Sequence, residues 1–198
     1  MNVIFDIGKV LIDFEFEKYV HELFEPETAE KVIAATWHNP EWNELDKGVL
    51  SDEEVLQLFI AKAPECEKEI RIAFAGMGTC PKMRSTTIPM IKKLKKAGYG
   101  VYYLSNYFEY LMHTAPWALF FKEHMDGGLF SCHVKVTKPD LRIFGLLCEK
   151  YGLVPSECVF IDDTLKNVAA AEKFGMHAIH FTGQSTKELI SQINECFR

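Results

Sequence analysis

What the chain lacks narrows its function early. Its 198 residues hold no apolar run near the roughly 20 residues that a membrane helix needs, so no membrane partner is expected. The six cysteines, Cys66, Cys80, Cys132, Cys148, Cys158 and Cys196, form no CxxC pair and sit mostly within apolar runs. They read as reduced, buried thiols rather than disulfides or zinc ligands. The seven histidines show no metal spacing either: His177 and His180, three apart on a predicted strand, point to opposite faces. No GxGxxG follows a strand, which argues against dinucleotide binding. Excess positive charge is absent as well, with 22 Lys and Arg against 28 Asp and Glu and a formal net charge of −6. That balance argues against a nucleic-acid partner held through phosphate contacts. An acid inside the first apolar stretch is unlike a signal peptide, and a cytoplasmic location is expected. There is no internal repeat and no low-complexity linker.

What is present is a composition of 48% hydrophobic and 25% charged residues, as in an ordinary globular chain with one core and an appendage. The apolar run Val3, Ile4, Phe5 ends abruptly in Asp6 and then Gly8, as a buried strand does where it opens into a polar crevice. Further strands are predicted over residues 101–104, 128–132, 158–161 and 177–181. Between them, Ile88, Ile91 and Leu94, then Ile143, Phe144 and Leu147, supply helical stripes, with Pro139 predicted in the first turn of the second helix. Capping boxes at Ser51/Glu54 and Ser185/Glu188 open two more helices. Strands alternating with helices predict an α/β fold with a Rossmann-like parallel sheet. From residue 14 to about residue 74 the pattern is helical without a convincing strand. The predicted organisation is therefore a core of residues 1–13 and 84–198, interrupted by a helical domain of residues 14–83. Within that insertion Trp37, His38, Trp42 and Glu44 either face a substrate or pack between helices.

Three predicted strands end in chemistry at one sheet edge: Asp6, then Ser105 and Asn106, then Asp162 and Asp163, with Lys138 entering from a loop. Two or three ionised carboxylates share a site only around a cation, and hard oxygen ligands imply magnesium. A hydroxyl, an amide and a lysine then suit phosphate oxygens. With metal on one side of a phosphoryl group and Lys138 on the other, Asp6 is placed for in-line attack on phosphorus, and water would cleave the resulting aspartyl phosphate.

These residues resemble the haloacid dehalogenase (HAD) superfamily over nearly the whole chain. Asp6 in Phe-Asp-Ile-Gly-Lys-Val-Leu is similar to the nucleophile motif, Leu104-Ser105-Asn106 to the second, phosphate-binding motif, and Lys138-Pro139 to the third. Phe160-Ile161-Asp162-Asp163 with Asn167 is similar to the acidic fourth motif. The insertion is similar to the helical cap of subfamily I, the C1 type. The Asp-Ile-Gly form looks most like the branch containing bacterial sugar phosphatases such as α-glucose-1-phosphate phosphatase. The resemblance implies a magnesium-dependent phosphatase acting on a small phosphorylated metabolite, a sugar phosphate by that branch. It implies Asp6 and Lys138 as catalytic residues and Ser105, Asn106 and Lys138 as phosphate ligands. The metal ligands it implies are Asp6, the Gly8 carbonyl, Asp163 and Asp162. One departure stands out: the second aspartate usual two residues after the nucleophile, the general acid and base, is here Gly8, with Lys9 and Asp13 nearby. The alternatives are a 2-haloacid dehalogenase, which needs no metal, and a non-catalytic phosphate-binding regulator. Asp162 and Asp163 argue against the first because they would repel a haloacid's own charge.

Overall fold

Five short apolar runs pair into one parallel sheet. The computed structural model describes residues 1–198. In chain order, β1 (Asn2–Phe5) and β2 (Ile12–Phe14) lead into five helices: α1 (Phe16–Leu23), α2 (Pro26–Ala35), α3 (Trp42–Lys47), α4 (Asp52–Ile60) and α5 (Glu67–Gly76). After β3 (Pro81–Met83) come α6 (Thr87–Lys96), β4 (Gly100–Ser105), α7 (Glu109–Thr114), a 3-10 stretch (Pro116–His124) and β5 (Gly127–Phe130). The remainder is α8 (Ser131–Val134), α9 (Leu141–Tyr151), β6 (Cys158–Asp162), α10 (Leu165–Phe174), β7 (His177–His180) and α11 (Thr186–Cys196).

The sheet order is β5-β4-β1-β6-β7, with every pair parallel. Alternation within the strands divides the core between the two sheet faces. Val3, Phe5, Val101 and Ile161 pack on one face with Ile91 and Leu94 of α6 and with Leu189 and Ile193 of α11. Ile4, Leu104 and Phe160 pack on the other with Ile143, Phe144 and Leu147 of α9. Both faces are covered, which is why these strands read as continuous apolar runs. Because β1 is central and its register aligns Phe5 with Tyr103 and with Ile161, the residues that follow all three strands emerge at one edge. The strand order reverses at β1, where open α/β sheets place their ligand crevice. No helix is long and apolar enough to cross a membrane.

The stretch expected to be wholly helical from residue 14 begins with a strand instead. β2 and β3 form an antiparallel ribbon, pairing Ile12 with Met83, Asp13 with Lys82 and Phe14 with Pro81, through which the chain leaves the sheet and returns. Three-residue strands are too short to show alternation, and only tertiary pairing makes them. Pro139 also differs from expectation. It precedes Asp140, the N-cap whose side chain accepts from Arg142 N at 2.9 Å, so it stands outside α9, after a cis Lys138–Pro139 peptide bond. Both predicted capping boxes form, at α4 and α11. All six cysteines are free, five of them buried.

Candidate active site

Asp6 follows the last residue of β1, and its backbone N–H still donates to Ile161 O at 2.8 Å, so the sheet fixes its position. The chain then turns sharply. The N–H groups of Leu11 and Ile12 both donate to Ile7 O, at 2.9 and 3.0 Å, and Lys9 adopts a left-handed φ of 57°. Lys138 is buried, and its Nζ lies 2.7 Å from Asp6 Oδ1 and 2.7 Å from Asp162 Oδ2. Asp6 Oδ1 has that ion-pair contact and no aligned hydrogen bond.

Asp162 and Asp163 are adjacent in sequence and unlike in surroundings. Asp162 is wholly buried and saturated with donors: besides Lys138, it accepts from Thr164 N at 2.8 Å and from Asn167 Nδ2 at 3.1 Å. Asp163 is half-buried and borders the cavity; its backbone carbonyl lies 2.9 Å from His180 Nε2, and its carboxylate meets only the Thr164 hydroxyl, at 3.4 Å. Asn106, expected to bind phosphate, spends its amide on the backbone of Lys138: its Nδ2 donates to Lys138 O at 3.1 Å and its Oδ1 accepts from Lys138 N at 2.8 Å. That reciprocal pair orients the lysine. Ser105 is buried at the end of β4, its hydroxyl 3.3 Å from Asn106 O, and does not border the cavity.

Burial raises the Asp6 carboxyl above the usual range, with Lys138 opposing and the Asp162 charge adding to it. Burial and then Asp162 likewise raise Asp163. For Lys138, burial pulls the ammonium down, but Asp162 and Asp6 together hold it above the ordinary lysine value. The cluster thus carries three carboxylates against one ammonium, and ligand oxygens of Asp6, Asp162 and Asp163 lie within 4.8 Å of one another. The buried Asn167 Oδ1 at its margin has no partner. This donor set, hard and short of positive charge, fits a small dication.

Above the cluster lies a cavity of roughly 340 Å³, closed on one side by the inserted helices. Its floor includes Asp6, Gly8, Lys138 and Asp163, and its walls include Phe14, Trp37, Trp42 and Phe108. Trp37 and Trp42 both pack and face the cavity: their rings meet edge-on at 4.9 Å, and Trp42 also meets Phe108 of the core edge-on at 5.8 Å. His38 and Glu44 turn away, the first 3.0 Å from Glu17 and the second 2.5 Å from Lys47. Asp13 is likewise absent from the cavity, since Arg84 holds its Oδ1 through Nε at 2.8 Å. Lys9 does border it, with Nζ 5.7 Å from the Trp37 ring. Sequence reasoning missed Asp46, Phe108 and Lys166, all on the cavity wall. Phe108 and Lys166 stand beside the second and fourth motifs, two residues after Asn106 and one before Asn167, while Asp46 has no motif around it and reaches the wall only because the insertion packs against the core.

Comparison with known proteins matches residues 1–175 to a family model described as haloacid dehalogenase-like hydrolase. The sesquiterpene phosphatase astK of Aspergillus oryzae is 25% identical over 185 residues, covering 90% of this chain and 88% of that protein. The D-ribitol-5-phosphate phosphatase of Bacteroides thetaiotaomicron is 25% identical over 185 residues, 88% of each chain. The drimenol cyclase drtB of Aspergillus calidoustus is 28% identical over 188 residues, but this chain spans only 33% of that protein's length. Among solved structures, the HAD family enzyme bt-2542 of Bacteroides thetaiotaomicron, as a magnesium complex, superposes with a TM-score of 0.74 at 21% identity. That likeness of fold covers 96% of this chain and 97% of that one.

Proposed function

The chain belongs to the haloacid dehalogenase-like hydrolase family, and from that premise we propose that it is a magnesium-dependent phosphatase of small phosphate monoesters with Asp6 as nucleophile. The observation that carries this reading is the buried cluster at the sheet edge, in which Lys138 stands 2.7 Å from Asp6 beneath the cavity. Asp6, the Gly8 carbonyl and Asp163 would hold magnesium. Asp162, saturated with donors, is the structural partner of Lys138 rather than a direct ligand. When bound, the metal supplies positive charge facing the phosphoryl oxygens, which lets an anionic carboxylate approach an anionic ester.

The remaining chemistry belongs to the protein. The Asp6 carboxylate attacks phosphorus, the bond to the leaving oxygen breaks, and water then cleaves the aspartyl phosphate. The Lys138 ammonium, oriented by the Asn106 amide and by Asp162, offsets the charge that gathers on the phosphoryl oxygens. Trp37, Trp42, Phe14 and Phe108 exclude water and offer flat faces to the organic part of the ester. A sugar phosphate is the substrate class we infer, supported by these stacking faces and by the ribitol phosphatase among the relatives.

A panel of sugar, aryl and prenyl phosphates, assayed with and without magnesium for the natural protein and for Asp6→Asn, tests the reading. Magnesium-dependent turnover of sugar phosphates, lost in the variant, is expected. Metal-independent turnover, or near-natural rates in Asp6→Asn, would contradict the mechanism. A preference for prenyl esters would overturn the substrate class.

A further inference from the structure

The reaction needs a proton donor for the leaving oxygen, and the residue two beyond the nucleophile, Gly8, has no side chain. The donor must therefore reach the ester from elsewhere. Of the residues near in sequence, Asp13 is held by Arg84 outside the cavity, and Lys9 leans on Trp37. One other carboxyl borders the same cavity from the opposite side: Asp46, in the last turn of α3.

We infer that Asp46 is the general acid and base of this enzyme, supplied from the inserted helices in place of the absent side chain at position 8. The inference rests on the phosphatase reading above. Its support begins with placement. Asp46 shares its cavity with Asp6 and Lys138, so it faces an ester on the side away from the sheet, where the leaving group must lie if Asp6 attacks in line.

Next is anchorage. The backbone carbonyl of Asp46 accepts from Ser131 Oγ at 2.5 Å, and that hydroxyl in turn accepts from Tyr107 N at 3.0 Å. Gly48, the left-handed cap of α3, lies so near α8 that a Cβ there would stand 2.9 Å from Cys132 Cβ. Lys135 Nζ also donates to Gly48 O. The end of α3 is thus fixed to the core rather than carried on a free arm.

Lastly, the carboxyl is uncommitted. No hydrogen bond engages it, whereas its helix neighbours Glu44 and Lys47 pair with each other. The other charged groups of the cavity, Lys9, Asp163 and Lys166, leave it without a contact partner. Burial, then the charge of Asp6, pushes it up to about 7, with Lys138 opposing, which leaves a proton available near neutral pH.

In the first step Asp6 bonds to phosphorus, the ester P–O bond breaks, and the Asp46 proton goes to the departing oxygen. In the second step Asp46, now a carboxylate, takes a proton from the attacking water. That returns Asp6 as carboxylate and Asp46 as acid, and releases phosphate.

The test is a series of phosphate esters running from p-nitrophenyl phosphate to alkyl phosphates, measured in single turnovers for the natural protein, Asp46→Asn and Asp46→Ser. Circular dichroism monitors the fold. A missing general acid costs least where the leaving group is a stable anion. The variants should therefore lose under about 10-fold on p-nitrophenyl phosphate and about 10²- to 10⁴-fold on alkyl esters. Gly8→Asp added to Asp46→Asn should recover much of the alkyl-ester rate, because a Cβ at Gly8 meets nothing within 4 Å and Gly8 borders the same cavity. Equal losses across the series, or none, would overturn the role of Asp46 while leaving Asp6 as nucleophile. Failure of the natural protein to hydrolyse any ester would overturn the phosphatase reading, and this inference with it.

Discussion

Residues at this site divide by what their polar atoms are already doing. Lys138 shows the division best, since its ammonium serves two buried carboxylates while its backbone is clasped by Asn106. Removing one member of a buried ionic group leaves the others uncompensated, at a cost of about 3–5 kcal/mol. Lys138→Ala should therefore lower stability by that order in urea unfolding at neutral pH without metal, and abolish turnover. An unaltered midpoint would mean that water, rather than this lysine, solvates Asp6 and Asp162. Asp6 and the acidic pair were legible in sequence because each ends an apolar run at a polar residue, whereas Lys138 stands in a polar loop and was read from its place before Pro139. The distinct duties of Asp162 and Asp163 were not legible, since neighbouring aspartates differ here only in which one points at Lys138 and Asn167. Asn106 read as a phosphate ligand because an amide's chemistry is visible in sequence and its partner is not.

Among the elements, the helices with a local signature were the readable ones. In α11 the Ser185 hydroxyl accepts from Glu188 N at 3.3 Å, and the Glu188 carboxylate returns to Ser185 N at 2.9 Å. Leu189 and Ile193 then bury the apolar stripe. Ser185→Ala should cost about 1 kcal/mol in thermal or urea unfolding, the usual worth of such a cap. The Ser185 hydroxyl and backbone N–H hold the Glu188 carboxyl below its ordinary value. A carboxyl depressed in the folded state lends stability that is complete above its unfolded value and lost as pH falls through the folded one. The penalty for Ser185→Ala should accordingly shrink in acid, and a penalty that stays constant down to pH 3 would contradict the capping box. The β2–β3 ribbon had no such signature. It is made by pairing across some seventy residues of chain, with Arg84 binding both Asp13 and Val10 O.

Across the whole molecule, parallel pairing turns three scattered sequence motifs into one site. The order β5-β4-β1-β6-β7 sets the ends of β1, β4 and β6 side by side, so Asp6, Ser105 and Asp162 share an edge by topology alone. That much follows from alternating strands and helices. The cavity wall does not, because Trp42, Asp46 and Phe108 meet only through the docking of the insertion on α8 and on the loop after β4. In the proposed reaction the nucleophile and its lysine come from the sheet edge, while the inserted helices bring Trp37, Trp42 and Asp46 to the cavity around the ester. The central claim, that Asp6 becomes phosphorylated, is open to direct measurement. Excess protein is mixed with magnesium and an intact phosphate ester that it turns over, quenched in acid within the first turnover, and mapped by peptide mass spectrometry. A phosphoryl group on Asp6 in the peptide from the loop after β1, absent from Asp6→Asn, is the predicted result. Turnover with Asp6 unmodified at every quench time, or with the phosphoryl group on another residue, would contradict the account.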